Sequence, residues 1–197
     1  MKDLSIDIET LGTRVDSQIL SVGMVLFDID KGVIADKNSG GSFYQRIDLG
    51  EDQEVKATWG TIKFWMNQAK KDPDLHLRSN DGGNVNNLRT ILHMITDFYK
   101  QNEPIRVWAN GTKFDLAMLE YQFNQHNIPV PWAYNADRCM RTLKELAGDI
   151  NIKQGDLVHH NALDDAIWQA NYISAAFYRQ NLNKEASKIS NKAVYGF

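Results

Sequence analysis

Residues 18–28, Gln-Ile-Leu-Ser-Val-Gly-Met-Val-Leu-Phe-Asp, form a nearly continuous apolar run. The run is too short to cross a membrane as a helix. Rich in Val and Ile, it reads as a central strand buried on both faces. Such a strand needs neighbours beside it and helices above and below. Residues 4–10, Leu-Ser-Ile-Asp-Ile-Glu-Thr, read as the strand before it, and residues 12–17 as a polar loop. Residues 28–32 read as a turn. A third strand follows, interrupted by Asn38-Ser39-Gly40-Gly41 and resuming over 42–47. The first 48 residues therefore predict a β-meander.

The period then changes. Trp59, Ile62, Trp65, Met66 and Ala69 are spaced as in a helix over 58–69. Residues 70–84, with Pro73 and Asp81-Gly82-Gly83, predict a loop. Leu88, Ile91, Leu92, Ile95 and Tyr99 mark an amphipathic helix over 85–100. A short strand at 105–109 and a helix at 112–124 come next. Pro129 and Pro131 mark a loop, followed by an edge strand at 132–134, a short helix at 138–147 and a polar loop at 148–160. A last helix is expected over 162–181. Residues 1–182 form one domain in this reading, and 183–197 a polar C-terminal tail. Strands followed by alternating helices and strands predict an α/β fold, a mixed sheet with helices on both faces. The tryptophans, with Phe27, Phe98 and Phe123, fall on apolar periods and are expected mostly in the core.

Composition narrows the function. The net charge of −3 argues against clamping a nucleic-acid duplex through many phosphate contacts. Any nucleic-acid role must rest on a local site, where bound cations can supply positive charge. The single Cys139 excludes an internal disulfide and a cysteine zinc cluster, and suits a reducing compartment. No basic-then-apolar leader and no run of membrane-spanning length is visible, so a cytoplasmic location without a membrane partner is expected. No P-loop, dinucleotide fingerprint, nucleophile elbow or H-E-x-x-H motif occurs.

Three segments carry candidate chemistry. In the first strand, Asp7 and Glu9 are two positions apart and so share a face. Like charges on one face of an apolar strand invite a divalent cation. A solvated strand end, or pairing with Arg14, is the plainer reading. Asp115 follows a short buried strand, where ligands of α/β sheets collect. Its plainer role is in a capping box with Thr112. In the third segment, His159-His160-Asn161-Ala162-Leu163-Asp164-Asp165, Asn161 is a natural N-cap. One of Asp164 and Asp165 can serve the cap and the helix dipole, which leaves the other surplus. His160 is either a loop residue or a titrating group open to substrate.

Together, Asp7-x-Glu9-Thr10, Asn110-Gly111-x-x-Phe114-Asp115 and His160-x-Ala162-x-x-Asp165 stand in the order and spacing of a known family. The chain resembles the DEDDh 3′–5′ exonucleases, the DnaQ-like branch of the ribonuclease H-like superfamily. The wording of residues 61–65 and 160–166 is similar to that of its small phage and bacterial members. The resemblance implies a ribonuclease H-like fold: a five-stranded mixed sheet whose second strand is antiparallel, with helices on both faces. It implies that Asp7, Glu9, Asp115 and Asp165 bind two divalent cations, Mg²⁺ or Mn²⁺, and that His160 is the general base. Thr10 would lie near the terminal nucleotide, and Leu11 would wedge against its base. The family spacing selects Asp165 over Asp164 and His160 over His159. The implied activity is metal-dependent hydrolysis from the 3′ ends of single-stranded nucleic acid. The expected substrate is DNA, with RNA as the alternative, and the expected location is the host cytoplasm if the chain is phage-encoded. A non-catalytic replication accessory module is the alternative from another class; the complete acidic set argues against it. Endonuclease action fits the histidine motif less well.

Overall fold

The computed structural model describes residues 2–31, 40–50, 54–71, 84–153 and 155–195, with backbone alone for 84 and 182–195. The strands are β1 (Asp3–Thr10), β2 (Ile19–Phe27), β3 (Ser42–Ile47), β4 (Asn84–Asn86), β5 (Arg106–Ala109) and β6 (Asp137–Cys139). The helices are α1 (Trp59–Lys71), α2 (Leu88–Asn102), α3 (Asp115–Gln125), α4 (Met140–Ala147) and α5 (Ala162–Tyr195). The sheet order is β4-β3-β2-β1-β5-β6. β2 runs antiparallel to both β1 and β3, and the other neighbouring pairs are parallel.

The apolar run becomes β2, as its composition demands: Val22, Met24, Val25 and Phe27 are all buried. Alternation in β1 then separates two core layers. Leu4, Ile6 and Ile8 pack with Ile91, Leu92 and Ile95 of α2 and with Leu116, Leu119 and Phe123 of α3. On the other side, Val25, Phe27 and Trp108 pack with Met140 of α4 and Ala166, Ala170 and Ile173 of α5. Each fully buried aliphatic side chain of this kind stabilises the fold by about 1.5–3 kcal/mol relative to exposure.

The odd-numbered side chains of β1 face α5, and they are polar. Asp3 is fully buried and held by Arg106, whose Nε and Nη2 donate to its two oxygens at 2.5 and 2.9 Å. Trp108 Nε1 donates to the same carboxylate at 2.9 Å. This bidentate pair joins β1 to β5, and its geometry offsets the cost of burying the charge.

Five details differ from the sequence reading. The sheet has six strands rather than five. The addition, β4, is a three-residue strand parallel to β3, too short to show a period. The edge strand lies at Asp137–Cys139, not 132–134. Trp132 is buried because its ring packs on Tyr99 and Phe123 and its Nε1 donates to Glu120, not because it pairs in a sheet. Helix α3 starts at Asp115, and its N-cap Phe114 makes no side-chain cap bond, so the Thr112 capping box does not form. Helix α5 continues to Tyr195, beyond the end expected near 181. Finally, α1 has no buried residue, and Trp59 is 68% exposed rather than in the core. The loop centred on Pro73 and Asp81-Gly82-Gly83, and Asn38-Ser39, lie outside the described residues.

Gly23 sits opposite Asp7 in the β1–β2 ladder. A Cβ there would lie 2.2 Å from Ala162 C and Leu163 N. The absence of a side chain at this one position lets the N-terminus of α5 rest directly on the sheet.

Candidate active site

Asp7 and Glu9 project from the C-terminal half of β1 toward α5. Asp165, in the first turn of α5, faces them, and Asp115 enters from the start of α3. Asp115 is buried and accepts the backbone N–H of Ile8 at 3.3 Å. Its carboxylate is thus held at the β1 backbone, at the residue between Asp7 and Glu9. Ligand atoms of Glu9, His160 and Asp165 all lie within 4.8 Å of one another. Asp7 and Asp115 stand beside this trio, near enough for the charges of Asp115, Glu9 and Asp165 to act on Asp7.

The crowding is visible in their acidities. Desolvation, then the charges of Asp115, Glu9 and Asp165, hold the Asp7 carboxyl well above the usual range. Desolvation followed by Asp165 and Asp115 pushes Glu9 up to about 8. Burial raises Asp115 to about 6 against the N–H groups of Ile8 and Gly111 and the Arg141 charge. Burial raises Asp165 to about 6 although the His160 N–H and His159 oppose it. Carboxylates crowded in this way fit a hard divalent cation, which takes oxygen ligands and restores their ionised form.

A stability prediction follows from the direction of these shifts. Acids raised on folding bind more protons in the native state than in the unfolded one. Their stabilising contribution is complete below their unfolded pKa values, near 4, and is lost as pH rises through about 6 and then about 8. In chelator, the unfolding midpoint is expected to fall between pH 5 and pH 8, by an equivalent of a few kcal/mol at about 1.4 kcal/mol per unit. Millimolar Mn²⁺ is expected to restore it at pH 8. Calorimetry with and without metal checks both arms.

The loop before α5 explains the doubled residues. Asn161 caps the helix, its Oδ1 accepting from Leu163 N at 3.1 Å and Asp164 N at 3.2 Å. Asp164 is buried, and its Oδ2 accepts from Val158 N at 2.9 Å, which closes the loop onto the helix. Asp165 is left for the cluster; its Oδ2 accepts the His160 backbone N–H at 3.0 Å. His160 adopts a left-handed φ of 63°, uncommon for a residue with a side chain. Its ring packs edge-on against Phe64 at 5.1 Å and Trp65 at 5.7 Å. Burial, then His159, lowers its pKa, so the ring is neutral near neutral pH. His159 is mostly exposed, with Nδ1 3.7 Å from Asp165 Oδ1.

A cleft of about 410 Å³ opens beside the acids, lined by Ile8, Glu9, Thr10, Thr13, Gly60, Thr61, Phe64, Trp65, Phe114 and His160. Thr10 lines it, but its hydroxyl is committed to the Gly12 carbonyl at 2.8 Å. Leu11 is half-buried and is not among the lining residues; its backbone pairs with Gln18 and Thr58. Trp65 Nε1 donates to the Thr10 carbonyl at 2.9 Å and so ties α1 to the end of β1. Sequence reasoning assigns no site role to Phe64, Trp65, Phe114 or Gln169, although Trp65 falls on a helical stripe and Phe114 stands in the second motif. The adjacent aromatics at 64 and 65 spread beyond a single helical stripe, which is the signal that some of them face something other than a core.

This sheet order, with acids from three elements and a loop histidine at one end, defines a ribonuclease H-like nuclease of the DEDDh type. Solved structures agree on the fold. The nuclease domain of 3′hExo, described as a DEDDh family member bound to rAMP, matches with a TM-score of 0.51 at 14% identity, covering 93% of this chain and 92% of that one. The RNase domain of the yeast Pop2 protein matches with a TM-score of 0.54 at 9% identity, covering 87% of this chain and 75% of that one. No curated protein sequence matches significantly. The chain belongs to the 3′–5′ exoribonuclease Rv2179c-like domain family, whose profile matches residues 2–177. It is thus a member of a hydrolase family of 3′–5′ exonuclease domains. The family description favours RNA over the DNA preference expected from the sequence. Among the described residues no helix is long and apolar enough to cross a membrane.

Proposed function

We propose that the chain is a metal-dependent 3′–5′ exoribonuclease that removes nucleoside monophosphates from single-stranded RNA ends. The observation that carries this is the convergence of Asp7, Glu9, Asp115 and Asp165 with His160 at one end of an aromatic cleft. The four carboxylates would hold two divalent cations, Mg²⁺ or Mn²⁺, which would supply positive charge against the substrate phosphate and against the oxygens of an in-line displacement. His160, kept neutral by burial, takes a proton from the attacking water. The water oxygen bonds to phosphorus as the bond to the upstream 3′ oxygen breaks, and that oxygen takes a proton from solvent to become a new 3′ hydroxyl. Phe64 and Trp65 offer the terminal base an aromatic wall. Thr10 borders the terminal nucleotide through the cleft wall, while Leu11, outside the lining, only holds the end of β1 in place through its backbone bonds to Gln18 and Thr58.

Matched RNA and DNA oligonucleotides of one sequence test the substrate. RNA is expected to be shortened faster, and equal or faster loss of DNA would reverse the assignment. His160→Ala is expected to lower kcat by about 10²–10⁴-fold, the range for a lost general base. Calorimetric Mn²⁺ binding should survive in that variant, and unchanged turnover would reject the base assignment.

A further inference from the structure

The cation site uses the four acids, but the residue that touches Asp7 is neither an acid nor a cation. Gln169 is 3% exposed, and its Nε2 donates to Asp7 Oδ1 at 2.7 Å. The meeting follows from commensurate spacings. Four residues of helix rise about 6 Å, and two residues of strand about 6.6 Å. Helix α5 lies on β1 so that Asp165 meets Glu9 and Gln169, four residues on, meets Asp7.

Two further observations give the contact meaning. The Oε1 of Gln169 is buried with no hydrogen-bond partner among the described residues. A buried amide with one end unsatisfied is a costly way to fill space among Ala166, Ala170 and Ile173, so the side chain is kept for its nitrogen. The same strand also shows the other solution. Asp3, a buried acid outside the cluster, is neutralised by the Arg106 guanidinium. Asp7 instead receives a neutral donor, which orients the carboxylate and leaves its charge intact.

We infer that Gln169 is a positioning residue for Asp7: its side-chain N–H anchors one carboxylate oxygen without neutralising the group, and the other oxygen is left for a cation. This rests on the cation site under Proposed function. It acts through Asp7, as outer-shell donors act through metal ligands.

Gln169→Met keeps the length and volume and removes the donor. Calorimetric Mn²⁺ affinity is expected to fall roughly tenfold or more, and kcat to fall while KM for RNA holds. In an Asp7→Ala background the same substitution is expected to leave Mn²⁺ affinity unchanged. In the metal-free parent, the Gln169 side-chain N–H resonances are expected to be protected from exchange, and Asp7→Ala to remove that protection. Unchanged Mn²⁺ affinity in Gln169→Met, equal losses in both backgrounds, or an unprotected amide would each overturn the role of Gln169 alone. A parent chain that binds no Mn²⁺ would overturn the cation site and this role together. Absent RNA hydrolysis with the affinity pattern intact would overturn the proposed activity and support the role.

Discussion

Asp7→Asn is expected to lower RNA hydrolysis by about a thousandfold or more while making the metal-free protein more stable at pH 8. The two effects share one cause. Asp7 sits where three other carboxylates and desolvation raise the energy of its charge. Asparagine keeps the shape and removes the charge. The desolvated charge at position 7 is gone, and with it the repulsion from Asp115, Glu9 and Asp165. Without a cation the fold gains. With one, the site loses a charged ligand oxygen, and a loss of about 4 kcal/mol of transition-state stabilisation corresponds to a thousandfold. Single-turnover rates and unfolding midpoints in chelator check the pair of outcomes. A variant that lost activity because it had unfolded would show a lower midpoint, the opposite sign.

Gly23→Ala should damage the same site from beneath. The added carbon would meet Ala162 and Leu163 backbone atoms at 2.2 Å, and backbone cannot step aside as a side-chain tip does. Either β2 bends or the start of α5 lifts. That turn of helix carries Asp165, and its cap residue follows His160 directly. Overpacking of this kind costs about 1–3 kcal/mol and occasionally more. A displacement near 1 Å at catalytic groups is enough for about a hundredfold loss of rate. We expect both, measured by denaturant unfolding and by kcat. Gly60→Ala in α1 is the control, since nothing lies within 4 Å of its added carbon. There the substitution is expected to leave stability unchanged or raise it by up to about 1 kcal/mol.

The contrast between these two glycines also shows what a sequence can carry. β2 was legible because burial on both faces leaves a run of apolar residues. The pairing of Asp7 with Glu9 was legible because a strand has period two. The partners Asp115 and Asp165 had good local roles as helix-start acids, and only their spacing across three motifs marked them as one set. Local chemistry left Asp164 and Asp165 equivalent and only the family spacing selected Asp165; in three dimensions one closes a loop onto Val158 N and the other turns to the cluster. β6 was misplaced because Asp137 and Arg138 are exposed and carry no apolar signal, while Trp132, which carries one, packs on other rings. The end of α5 was missed because the apolar spacing fades in the sequence beyond residue 182, although Lys184, Glu185 and Ala186 are good helix formers. Gln169 was hidden for a different reason. A single polar residue on an apolar helix face gives no pattern, and its meaning depends on the strand beneath it.

The central claim is that these acids form a metal-dependent site acting on RNA 3′ ends. Its most direct test is a time course on 5′-labelled single-stranded RNA with Mn²⁺, run beside chelator and beside Asp7→Asn. The account predicts a ladder of progressively shorter labelled products that appears only with the parent chain and metal. No ladder with the parent, or one that persists undiminished in Asp7→Asn, would contradict it.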